Sequence, residues 1–141
     1  LAGTSLDNEL NYEQLKGAQL LRATETVYAL TSSGNIEVDW TNGHLQHVEL
    51  DQSTNLTFTR WPESGLYAKV RLEVTVANTS ATITLPDTVT TGINKLANAN
   101  VITRTLSFSS ADNGNIRLYE FSTYDGDDGE PITVLPLYQP Y

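Results

Sequence analysis

The chain reads as all-β: an antiparallel β-sandwich, jelly-roll-like in its connections, preceded by an N-terminal arm. Three observations predict this. From Glu25 onward apolar and polar residues alternate with a period of two, the short runs are rich in Val, Ile, Thr, Phe and Trp, and turn-forming clusters separate them. Many short strands between turn signals suit a sandwich or barrel.

Residues 1–24 stand apart. The segment LDNELNYEQLKGAQLLRAT is rich in Leu, Glu, Gln and Ala, with Ser5 and Asp7 suited to helix caps and Gly17 to breaking the segment. It predicts an arm with at most a short helix, followed by one domain over 25–141 that ends in a proline-containing tail, 135–141.

Strands are predicted over 25–31, 35–40, 44–50, 55–59, 66–77, 81–85, 101–108, 115–123 and 132–135. Thr41-Asn42-Gly43 and Asp51-Gln52-Ser53 supply turns, so 36–61 reads as strand, turn, strand, turn, strand. The strongest pattern is 66–76, where Leu66, Ala68, Val70, Leu72, Val74 and Val76 alternate with Tyr67, Lys69, Arg71, Glu73 and Thr75. Ile36 and Val38 repeat it opposite Glu37 and Asp39, and their parity assigns Trp40 to the core. Over 44–50 the phase slips, because Leu45 and Val48 lie three apart, and a β-bulge is expected there. Residues 86–100, between two predicted strands, read as a long loop.

NIRLYEFST, residues 115–123, has no cleanly polar face: Ile116 and Leu118 share one parity, Tyr119 and Phe121 the other. Such a strand is covered on both sides within the domain or stands at a contact with another chain. Tyr119 and Phe121, with Leu15 and Leu20 of the arm, are the candidate oligomer or partner contacts.

At 141 residues the chain fits one domain, and a domain of about this size buries roughly 68% of the surface its unfolded chain exposes. A formal charge of -9, with eight scattered Lys and Arg, argues against binding nucleic acid or an anionic membrane surface. No apolar run approaches the roughly 18 residues of a spanning helix. With no cysteine, disulfides, thiolate zinc sites and cysteine nucleophiles are excluded. The lack of methionine, even at position 1, is expected of a processed chain or a piece of a longer one.

The chemistry-bearing clusters are weak. His44 and His47 are the only histidines, and in a strand their spacing sends them to opposite faces, so no metal site is expected and both read as partly exposed polar positions. TYDGDDGEP gathers Asp125, Asp127, Asp128 and Glu130, an oxygen-rich set of the kind that holds calcium. Its spacing fails the EF-hand pattern, and Tyr-Asp-Gly after a strand is a plain hairpin signal, which is the favoured reading. No G-x-S-x-G or S-x-x-K motif occurs. Asn55-Leu56-Thr57 and Asn78-Thr79-Ser80 fit the glycosylation pattern, as chance allows in a chain rich in Asn and Thr. Trp61, ahead of Pro62 at a strand end, is the candidate for contact with a glycan.

The order of features resembles a β-rich domain of virion proteins of tailed bacteriophages, found in tail fibres and other appended particle proteins. The resemblance spans about residues 15–126 and rests on Ile36 to Gly43, Thr54 to Phe58, a Pro-Glu-Ser-Gly turn, the long alternating strand, Ala81 to Pro86, and Phe121 to Gly126. The chain departs from that pattern in PDTVTTGINKLANAN, where a Trp-Gly-Gly segment often follows the proline strand, and in GDDGEPITV, which lacks the usual aromatic. The resemblance implies a location in the virion, no enzyme activity and no cofactor, with other virion proteins as partners and, since such proteins are often trimeric, a homotrimer. A head decoration protein is the expectation. The alternatives are a tail or fibre domain, and a carbohydrate-binding receptor-recognition module that uses Trp61 and residues 88–98.

Overall fold

The computed structural model describes residues 24–126 and 131–138, which build two packed β-sheets. The strands are β1 (Tyr28–Leu30), β2 (Asn35–Asp39), β3 (Leu45–Leu50), β4 (Thr54–Thr59), β5 (Ala68–Val76), β6 (Ile83–Thr84), β7 (Val89–Thr91), β8 (Ala99–Asn100), β9 (Thr105–Leu106), β10 (Ile116–Thr123) and β11 (Ile132–Tyr138). The six-stranded sheet has the order β1-β3-β5-β10-β11-β7, and the five-stranded sheet β2-β4-β6-β9-β8. The predicted all-β sandwich is the observed fold. Its sheets are mixed, where antiparallel pairing is expected from the sequence.

The difference comes from how the chain turns. The first six strands alternate between the sheets, so β1, β3 and β5 pair in parallel on one side, and β2, β4 and β6 on the other. Parallel neighbours need a long crossover, and here each crossover is a strand of the opposite sheet. The breaks at Asn42-Gly43 and at Asp51-Gln52-Ser53 thus carry the chain between layers instead of closing hairpins. Antiparallel pairing appears in β9, against β6 and β8, and then in β10, which runs between β5 and β11.

Between the layers lies an apolar core. Val48 and Leu50 of β3, Val70, Leu72, Val74 and Val76 of β5, Tyr119 and Phe121 of β10, and Ile132 and Val134 of β11 face Ile36, Val38, Leu56, Ile83 and Leu106 of the other sheet. Fully burying each large side chain contributes about 1.5–3 kcal/mol. Phe58 and Phe121 meet across the layers with ring centroids 4.6 Å apart, tilted by 46°. Gly92 lets a 3-10 turn (Ile93–Lys95) run beneath β11: its φ is 95°, and a Cβ there would stand 2.0 Å from the Val134 carbonyl oxygen.

The phase slip in β3 is no bulge. Its pairing to β1 and β5 is continuous, and the inward positions are Gln46, Val48 and Leu50. Buried Gln46 donates from Nε2 to the carbonyls of Asp39 (2.6 Å) and Gly43 (3.1 Å), tying down the 3-10 turn Trp40–Asn42 that Asp39 caps. A polar residue takes a core position because the turn's carbonyls need a donor. Register shifts occur instead along β11, against β10 from the Leu118–Tyr138 pair to Tyr119–Pro136, and against β7 between Ile132 and Thr133. Pro136 has no N–H to donate, and β7 pairs only with the start of β11, so the proline lies where the strand has a free edge. The segment that reads as a tail from Leu135 is the second half of β11. Strands β7 and β8 fall within the stretch that reads as a loop, and residues 101–104 form a turn ahead of β9.

Candidate interaction surface

The registers lay the outer face of the six-stranded sheet out as a grid. One row runs Lys69, Ser122, Thr133; the next Leu45, Arg71, Glu120, Leu135; the next His47, Glu73, Leu118; the last Glu49, Thr75, Ile116. Aliphatic groups gather on β10 and β11. Ile116 is 41% exposed, Leu135 44% and Leu137 41%, with Leu118 half-buried between them. Leaving such side chains in water forgoes part of the roughly 1.5–3 kcal/mol that full burial of each provides.

Charges flank this aliphatic strip on β3 and β5. Arg71 Nε lies 3.4 Å from Glu120 Oε2, His47 Nε2 lies 3.0 Å from Thr75 Oγ1, and His44 Nδ1 lies 3.3 Å from Glu25 Oε1. Between strip and charges lies a cavity of about 360 Å³ whose lining includes His44, Leu45, Lys69, Arg71, Glu73 and Leu118. An apolar centre with a charged rim is the composition of a protein–protein contact. The outer face of the five-stranded sheet is different: the row Asn35, Asn55, Thr84, Thr105, Asn100 crosses all five strands with neutral polar groups. That face suits water.

The candidate residues fall as follows. Tyr119 and Phe121 are fully buried and belong to the core, so β10 offers Ile116 and Leu118 outward instead. Leu15 and Leu20 lie outside the described residues. Trp61 is partly buried against the core, stacked on Phe58 at 6.0 Å, and its Nε1 is buried without a partner among the described residues, so its ring is engaged inward. Trp40, assigned to the core by parity, instead enters the 3-10 turn and tilts over His44 at 6.1 Å. Of the acidic set, Asp125 accepts a 2.6 Å hydrogen bond from Ser64 Oγ, while Asp127, Asp128 and Glu130 lie outside the described residues. Among the described residues no three His, Cys, Asp or Glu side chains group to hold a metal ion. No described helix is long and apolar enough to cross a membrane.

Sequence reading missed Leu135 and Leu137 as surface residues by assigning them to a tail. The signal was there: Ile132, Val134, Leu135 and Leu137 put apolar groups on both parities, as in β10. Comparisons with family models, with curated proteins and with solved structures found no match.

Proposed function

We propose that the chain is a non-catalytic structural protein of a tailed-phage particle, most concretely a head decoration protein. It assembles as a homotrimer and meets neighbouring virion proteins through the outer face of its six-stranded sheet. The location on a particle is supported by the resemblance of residues 15–126. The contact surface is supported by one observation: Ile116, Leu135 and Leu137, on adjacent strands, each stand more than 40% exposed beside a charged rim. The opposite sheet, faced with Asn and Thr beside Glu37, points away from the contact.

Antibody labelling of purified particles from the source of this sequence, imaged by electron microscopy, tests the reading. Label distributed over the head is expected. Label confined to the tail overturns the decoration role in favour of a tail or fibre domain, and particles free of the protein overturn the virion reading altogether.

A further inference from the structure

Two exposed tyrosines stand at one end of the six-stranded sheet, apart from the aliphatic strip. The antiparallel register of β5 and β10 ends at Ala68–Thr123, and Tyr67 and Tyr124 are the residues that follow this last pair at the same end of the sheet. Both are open to solvent, Tyr67 66% and Tyr124 63% exposed.

The backbone beneath the rings is fixed. Residues 63–66 form a tight turn in which Leu66 N donates to the Glu63 carbonyl at 3.2 Å and Gly65 takes φ 90°, as the third residue of a type II turn requires. Gly65 N donates to the Tyr124 carbonyl at 2.9 Å, Ser64 Oγ donates to Asp125 Oδ1 at 2.6 Å, and Asp125 N donates to Thr123 Oγ1 at 3.1 Å. Gly126 packs so closely on Pro62 and Trp61 that an added Cβ would lie 2.1 Å from the Pro62 carbonyl oxygen. Three separate contacts thus stitch the two tyrosine-bearing segments together, and a backbone held this way needs little reordering on binding.

The surroundings decide the ligand class. The polar row Lys69, Ser122, Thr133 separates the rings from Leu118 and Leu135, so they form no part of the aliphatic contact. Ser64 and Asp125 instead place a hydroxyl and a carboxylate at their rim. A pyranose needs this combination: its C–H face is apolar and lies on an aromatic ring, while its edge hydroxyls need hydrogen-bond partners. Asp125 and a net charge of -9 disfavour an anionic polymer.

We propose that Tyr67 and Tyr124, with Ser64 and Asp125, form a binding site for a neutral polysaccharide. The site is distinct from Trp61 and does not depend on the location of the protein on a particle.

Affinity electrophoresis of the full chain through gels containing dextran, mannan, laminarin, galactan or, as the anionic arm, alginate tests this. Retardation by at least one neutral polymer is expected, weakened about tenfold or more by Tyr67→Ala and by Tyr124→Ala. Tyr67→Phe keeps the ring and should keep most of the binding, and Thr57→Ala, on the outer face of the opposite sheet, should keep all of it. No retardation by any neutral polymer, retardation by alginate alone, or retardation unchanged in both alanine variants overturns the proposal. So does loss of attachment to a protein partner in Tyr67→Ala when no polymer binds, because the rings would then be a protein contact.

Discussion

Replacing Asp112 by Ala removes one half of an ion pair that lies inside the sandwich. Arg117 and Asp112 are 2% and 1% exposed, and Asp112 Oδ1 lies 2.8 Å from both Nε and Nη2 of Arg117. The other carboxylate oxygen accepts from Ser109 N at 2.7 Å and Ser109 Oγ at 3.2 Å, which closes the short 3-10 turn ahead of β10. Truncation leaves a guanidinium buried without its carboxylate, and breaking such a pair costs about 3–5 kcal/mol. Domains are stable by only about 5–15 kcal/mol, so the loss is a large fraction of the total. Urea unfolding followed by tryptophan fluorescence reads it directly: with a slope of about 1–3 kcal/mol/M, the midpoint should fall by at least about 1 M. Asp112→Ala combined with Arg117→Met removes both charges and should recover a good part of the loss. A single-variant loss below about 1 kcal/mol would refute the reasoning. So would a double variant no more stable than the single, because the cost would then lie in the turn and not in the broken ion pair.

Three further outcomes are expected. Gly92→Ala combines a left-handed backbone with a Cβ driven into the Val134 carbonyl, and should lower unfolding free energy by at least about 2 kcal/mol in the same urea assay. Gln46→Ala strips the donor from the carbonyls of Asp39 and Gly43 and should cost about 2 kcal/mol, with faster proteolysis at the Trp40–Asn42 turn. Removing residues 1–24 should leave the circular dichroism spectrum and the urea midpoint essentially unchanged while abolishing attachment to particles; full occupancy by the shortened chain would exclude the arm from assembly.

How much of this was legible in the sequence follows from which interactions are local. Alternation is local, so the strand of Val70, Leu72, Val74 and Val76 could be read from its own residues, as could Ile36 and Val38. Pairing partners are not local. A turn at Asn42-Gly43 reverses the chain in either case, and only the packing of the layers decides whether the next strand lies alongside or opposite. The Gln46 position misled because its burial is set by carbonyls of the preceding turn, which no periodicity encodes. Strands β7 and β8, of three and two residues, are too short to show a period. Both tryptophans end partly buried for a related reason: Trp40 leaves the strand for a 3-10 turn capped by Asp39, which breaks the parity argument, and Trp61 stacks on Phe58. At the surface, the two-sided apolar pattern of β10 was visible, but which side faced out depended on the opposing sheet.

The central claim is that the outer face of the six-stranded sheet mediates assembly, and light scattering of the purified chain tests it most directly. The full chain should give about three times its 15.5 kDa mass, and Leu135→Asp with Leu137→Asp should reduce this to the mass of one chain without shifting the urea midpoint. A single-chain mass for the unaltered protein, or a threefold mass that survives both aspartates, would contradict the claim.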